Sequence, residues 1–318
     1  MKLNYATAAM SATIVVLLAP GLVAQTPECD FSLAFRRADE KKPNNINVYR
    51  DNKSIAPFGQ ALAFVDELKV NTDGTRRSYH LTDTRGESKA INSVANAIST
   101  NKVKDFEALR DAGFPAPKSK QQLGDVIEFA KQPSKPCIGP GDFLVSMTSV
   151  GAVPGVFNKQ GDCDQSKWLD ALTVPALVLP KPSCKGCKTE FDNAGATNRN
   201  FVVAMTVAPP HTIAYGIVGD KGPVDQLGEA SVGMNARLNN LPANAEPTNY
   251  KDAIARFQAP KSIVLIIPGE KGRVSFPKDA KINAAHVEAE AKPLFEAWGG
   301  AARLRACAAK LETGRAKK

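Results

Sequence analysis

Aromatic residues are scarce in this 318-residue chain, at 7%, with two Trp and five Tyr. That argues against a wide aromatic platform for stacking sugar rings. Histidine is scarcer still: three, at positions 80, 211 and 286, with no metal-ligand spacing among them. No second Cys-x-x-Cys pair accompanies Cys184 and Cys187, so neither a metal site nor a cofactor is expected. The chain also lacks a Gly-rich phosphate loop, zinc-finger spacing and a Gly-x-Ser-x-Gly elbow. Nucleic-acid binding and serine-hydrolase chemistry therefore have little to rest on. No apolar run approaches the roughly 20 residues of a membrane span. What is abundant is positive charge, with 41 Lys and Arg against 32 Asp and Glu and a formal net charge of +9. A basic surface favours anionic partners, but it says nothing about fold.

The first 24 residues read as an export signal. Lys2 precedes the apolar stretch Ala12–Ala19, Pro20 and Gly21 break it, and cleavage after Gly21 or Ala24 follows. Its removal takes one Lys and no acid, leaving +8. All six Cys (29, 137, 163, 184, 187 and 307) survive, and an even number in an exported chain points to as many as three disulfides. Fifteen pairings are open. Cys184 and Cys187, in Pro- and Lys-rich surroundings, suit a small disulfide loop better than a redox motif.

Residues 25–64 carry Lys, Arg and Asn with little periodicity and read as an extended lead-in. Helical spacing is present over Lys104–Ala112 and over Gln121–Lys131 after a Ser119 cap. Phe143–Val150, Val174–Leu179, Phe201–Val207 and Thr212–Val218 are short runs rich in Val, Ile, Leu and Thr between turn residues, the pattern of buried strands. Ser262–Ile267 is another, with Arg273–Phe276 as its hairpin partner. Ala284–Leu311 favours helix, interrupted near Pro293 and Gly299-Gly300. The expected fold is α+β: a β-rich, barrel-like core with peripheral helices, supported by disulfides. The core spans 65–245, and 246–318 form a strand pair and helical extension packed on it.

The stretch Thr212–Ser231 holds the chemistry. An apolar strand ends at Gly219-Asp220, turns through Gly222-Pro223, and presents Glu229 between Gly228 and Ala230. Gly219 and Gly228 let substrate or backbone approach each acid. Two carboxylates held at strand and turn ends can act as acid and base in glycoside hydrolysis. Lys221 favours an ionised Asp220, suited to the base, and Glu229 would then protonate the leaving oxygen. A helix starting just after Glu229 would favour its anion and oppose that assignment, so the two roles stay open.

Tyr215–Ser231 resembles the signature of glycoside hydrolase family 75, the fungal-type endo-chitosanases and their bacterial relatives. There a YG(I/V)xGD strand precedes an (I/L)GEAS-like motif. Other segments match in the same order. Asp73–His80 resembles the DGAPxxYHP region, and Ala90–Ile98 the stretch that follows it. Phe143–Thr148 resembles a GFYVSxT strand, and Trp168–Pro180 a YVDAxxxPxIVLP segment. Together they cover about residues 65–240. The resemblance implies secreted or periplasmic, inverting hydrolysis of β-1,4 bonds in an amino-sugar polymer, with the family's two essential acids falling on Asp220 and Glu229; the chain is expected to be a monomer. Asp73, Tyr79 and Asp225 are the candidate substrate-binding residues. The sequence departs from the family in the short Asp220–Glu229 loop and in Arg76-Arg77, two cations close to Asp73. A non-catalytic relative that binds cell-wall glycan or a protein partner is the alternative.

Overall fold

The computed structural model describes residues 28–39, 42–53, 60–224 and 226–313. Residues 1–24, where an export signal is expected, and Asp225 lie outside the described residues. The strands are β1 (Phe31–Asp39), β2 (Lys42–Asp51), β3 (Leu62–Glu67), β4 (Lys69–Asn71), β5 (Tyr79–His80), β6 (Phe143–Leu144), β7 (Ala176–Lys181), β8 (Phe201–Thr206), β9 (Ile213–Val224), β10 (Glu229–Ser231) and β11 (Lys261–Ile267). The helices are α1 (Val103–Asp111), α2 (Ala116–Leu123), α3 (Glu190–Asn193), α4 (Val232–Leu238), α5 (Tyr250–Phe257), α6 (Ala284–Trp298) and α7 (Gly300–Thr313).

Nine strands form one mixed sheet in the order β1-β2-β3-β11-β8-β9-β7-β10-β4, while β5 and β6 pair separately. Neighbours are antiparallel except β7 with β9 and β4 with β10. The α+β class agrees with the sequence, but the sheet is open: β1 and β4 are its edges and do not pair, so the barrel-like expectation is corrected. The charged residues of β1, among them Arg36 and Arg37, suit an edge that must not recruit another strand.

β11 shows why the central strands read as unbroken apolar runs. Ile263, Leu265 and Ile267 pack on one face with Val287, Ala291 and Phe295 of α6 and Leu304 of α7. Val264 and Ile266 pack on the other with Phe191, Met234 and Leu238. A strand covered on both faces needs apolar residues at every position. A third cluster, built from Tyr79, Ile98, Phe106, Leu109, Leu123 and Leu144, forms a lobe beside the sheet from residues 79–147.

Four expectations change. The lead-in contributes β1 and β2, whose mixture of Lys, Arg and Asn with the apolar positions hid them. β11 is no appended strand, since it lies between β3 and β8 inside the sheet. Its expected partner Arg273–Phe276 is a loop in which Arg273 bridges Asn200. The helix expected over Gln121–Lys131 lies earlier, over Ala116–Leu123, and ends at Gly124. Beyond it Ile127 and Phe129 make isolated bridges.

The cysteines pair as Cys29–Cys307, Cys137–Cys163 and Cys184–Cys187, the last being the expected small loop. Cys29–Cys307 spans 278 positions and ties α7 to the segment entering β1. Next to it, buried Asp51 accepts from Arg303 Nη2 at 3.0 Å and from Trp298 Nε1 at 2.9 Å. Replacing Cys29 and Cys307 by Ser lowers the unfolding free energy by about 2–4 kcal/mol, chiefly by releasing the unfolded chain. A urea titration of the double variant against wild type checks this. Among the described residues, no helix is long and apolar enough to cross a membrane.

Candidate active site

β9 does not stop at Gly219-Asp220 as its sequence suggests. It runs on to Val224, pairing in parallel with β7, and the ladder slips by one residue. Leu177 faces Val218 but Val178 faces Asp220, so Gly219 is the extra residue of a bulge. The slip moves Asp220 off the face of Val218 and onto that of Ala176 and Val178. Gly219 itself is a packing requirement, because a Cβ there would lie 2.5 Å from Ala176 Cβ and 2.7 Å from Leu169 Cδ2. A second slip between Pro180 and Lys181 accommodates Pro223, which has no N–H for the ladder.

On the other side of β7, Glu229 pairs with Val178 and Ala230 with Leu177. Ala230 and Leu177 share the buried cluster of Phe64 and Val202, so Glu229 points to the opposite face, with Asp220. Gly228 has φ +101°, and a Cβ there would strike Asp66 Oδ2 at 2.3 Å. Both glycines therefore serve backbone approach. Ser231 caps α4 by accepting from Met234 N–H. Glu229 lies two residues before that cap, in strand β10, so it does not cap the helix.

Asp220, Glu229, Asp73 and Tyr79 line one cleft of about 640 Å³. One wall comes from the lobe, with Asn96, Asn101 and Gln122, and the other from Tyr250, Ile254 and Gln258. Asp220 Oδ1 accepts three hydrogen bonds of 2.8 Å: from Ser149 N, Ser149 Oγ and Lys221 N. Burial still raises its pKa above the usual carboxylate value, with those donors and the charge of Lys181 acting against the rise. The sequence expectation that the Lys221 ammonium holds Asp220 ionised is corrected. That ammonium pairs with Asp192 at 3.1 Å, and only the backbone N–H of Lys221 serves Asp220.

Asp73 sits deeper in chemical terms than a substrate-contact residue needs to. Its Oδ1 accepts from Tyr79 Oη at 2.7 Å and from Ser146 Oγ at 3.2 Å. Burial first, then the charges of Asp220 and Glu229, push its pKa up to about 7. Asp73 N–H donates to Asn71 Oδ1 at 2.9 Å, which turns the Asn71 amide so that Nδ2 faces Glu229 Oε2 at 3.4 Å. Arg76 and Arg77 turn away from the cleft. Arg76 pairs with Glu246 at 2.9 Å, and Arg77 donates to the carbonyls of Lys89, Pro247 and Thr248.

The site thus unites Asp73, Tyr79, Asp220 and Glu229, which are far apart in sequence; Asp225 lies outside the described residues. Sequence reading missed Asn71, Asn92, Ser146 and Ser149. Ser146 falls in the strand-like segment Phe143–Thr148; β6 ends at Leu144, and Ser146 itself makes an isolated bridge to Ile127. Nothing in a lone Asn or Ser marks such roles. On a hydrolytic reading of the cleft, Asn71→Ala is expected to lower kcat/KM about three- to tenfold, the worth of one positioning hydrogen bond. Steady-state kinetics beside a melting curve check it.

Among the described residues, no group of three or more His, Cys, Asp or Glu could hold a metal ion. No protein-family model matches the chain, and no curated protein matches it.

Proposed function

We propose that the chain is an exported glycoside hydrolase that cleaves β-1,4 bonds of an amino-sugar polymer with inversion. The observation that carries this reading is that Asp220 and Glu229 face one cleft from either side of Val178. Two strand spacings, about 9–10 Å, separate their backbones. The Glu229 side chain reaches back over β7, its Oε2 3.5 Å from where a Cβ on Gly222 of β9 would stand, and inversion, which wants carboxyl groups roughly 6.5–9.5 Å apart to admit a water, is taken from the family resemblance.

Asp220 is the base. Three donors fix its Oδ1, and the other oxygen takes a proton from the water that attacks the anomeric carbon. Glu229 gives a proton to the departing glycosidic oxygen, and the C–O bond breaks as the new one forms on the opposite side of the ring. The product leaves as the α-anomer, and solvent resets both carboxyl groups. The ordered resemblance over residues 65–240 supports the amino-sugar substrate, while the leader-like 1–24 and three disulfides support export. The rival reading, a non-catalytic binder, drew on Arg76 and Arg77, whose side chains are held outside the cleft.

Reducing ends released from chitosan, partially acetylated chitosan and peptidoglycan test this reading, with proton NMR of the first product anomer. Early α-anomer is expected. Early β-anomer would overturn inversion, and no reducing ends from any of the three would overturn hydrolysis.

A further inference from the structure

We propose that Asp73 is a third catalytic residue, a carboxyl that keeps its proton and donates a hydrogen bond from Oδ2 to an oxygen of the bound sugar. The inference rests on the hydrolase reading for its substrate, but the state of the carboxyl is fixed by its surroundings.

The donors around Asp73 are all committed to one oxygen. Tyr79 Oη receives Asn92 Nδ2 at 3.2 Å, so its own proton goes to Asp73 Oδ1. The orientation of Asn92 is set in turn, because its Oδ1 accepts from Ser93 N and from Asn96 Nδ2. Ser146 Oγ accepts from Gly74 N–H at 3.2 Å and donates to the same Oδ1. Oδ2 receives no hydrogen bond among the described residues, and Asp73 lines the cleft.

Three carboxyl groups in one cleft do not all ionise at neutral pH: Asp220, the best served as an anion, carries the charge, while Glu229 as the acid and Asp73 each hold a proton. Asp220 has two backbone N–H groups and a hydroxyl; Asp73 has two hydroxyls and no backbone donor. The groups acting on Asp73 are Asp220 from β9, Glu229 from β10 and Tyr79 from β5. Lys181 from β7 acts on Asp220, Lys69 on β4 pairs in register with Glu229, and Arg76 and Arg77 are engaged elsewhere. Among the described residues the side-chain donors to Asp73 are the two hydroxyls, and no Lys, Arg or His is hydrogen-bonded to it. A neutral carboxyl donates where an ionised one only accepts. Asp73 thus reads a hydroxyl or an acetamide oxygen, and an ammonium group has no anion to meet there.

The first test needs no substrate. In protein labelled with ¹³C at the Asp carboxyl groups, one resonance absent from Asp73→Asn should titrate near pH 7, and its midpoint should move upward in Tyr79→Phe, which removes a donor to Oδ1. A midpoint below 5, or no upward movement in Tyr79→Phe, would overturn the proposal. The second test is binding of an N-acetylglucosamine hexamer, uncharged at all pH values used, to Glu229→Gln. Affinity should fall at least threefold from pH 5.5 to pH 8.5, and the fall should vanish when Asp73→Asn is added. Affinity that is flat or rises with pH, or no binding at either pH, would overturn the contact. A wild type that cuts no glycan would defeat the hydrolase reading while the carboxyl titration remained interpretable.

Discussion

Glu229→Gln is expected to lower turnover of the amino-sugar polymer by about 10²–10⁴-fold, the contribution of one positioned proton-transfer group. The amide keeps the shape of the side chain and the Asn71 contact but has no proton to deliver to the leaving oxygen. β10 and the α4 cap depend on backbone pairing and on Ser231, so the melting temperature should stay near that of wild type. Asp220→Asn is expected to lose activity on the same scale for the opposite reason, having nothing to take the proton from water. Azide needs no base, so it should restore turnover in Asp220→Asn and yield an α-glycosyl azide. It should leave Glu229→Gln inactive on natural glycosides. Rescue of Glu229→Gln and not of Asp220→Asn would exchange the two roles.

The second expected result concerns stability. The Asp73 carboxyl titrates near 7 in the folded protein and near its ordinary value of 3.8 when unfolded. Between those values the folded state binds a proton that the unfolded state has released, so stability falls as pH rises from about 4 to about 7. Above 7 the whole cost is present, about 4 kcal/mol. Asp73→Asn removes the titration, keeps the shape, and should gain stability over wild type as pH rises, by up to about that amount at pH 8. At pH 3.5, where both folded and unfolded Asp73 are largely neutral, the difference should shrink to the small effect of an amide in place of an acid. Urea titrations at the two pH values measure it. Equal differences at both would show that Asp73 is not held as an acid. Such a cost fits a group kept for chemistry, since a fold selected for stability alone would not set three carboxyl groups around one cleft.

Much of the fold was legible because its central strands are buried twice over. Phe201–Val207, Ser262–Ile267 and Val174–Leu179 are apolar at nearly every position, and each contains or closely overlaps a sheet strand. β1 and β2 were illegible because Lys, Arg, Asn and Asp interrupt their apolar positions, so that even β2, which packs Tyr49 into one cluster and Val48 into the other, looks like an irregular tail. Closure could not be read at all, since local pattern says a strand is covered but not whether the last strand meets the first.

The site divides along the same line. Sequence by itself determined the residue types: Asp220 and Glu229 beside glycines, Asp73 six residues before Tyr79, six cysteines without a metal motif, and the ordered likeness to one hydrolase family. Only the tertiary structure decided what those residues do to one another. A one-residue bulge at Gly219 selects the face on which Asp220 stands. The parallel pairing of β10 with β4 brings Asn71 beside Glu229. The chain beyond β6, bridged to Ile127 at Ser146 and bent at Ser149, supplies both serines as donors. Protonation follows from those placements, because burial, like charge and donor count act over a few ångströms of space, and residues that share such a volume here stand up to 158 positions apart in the chain.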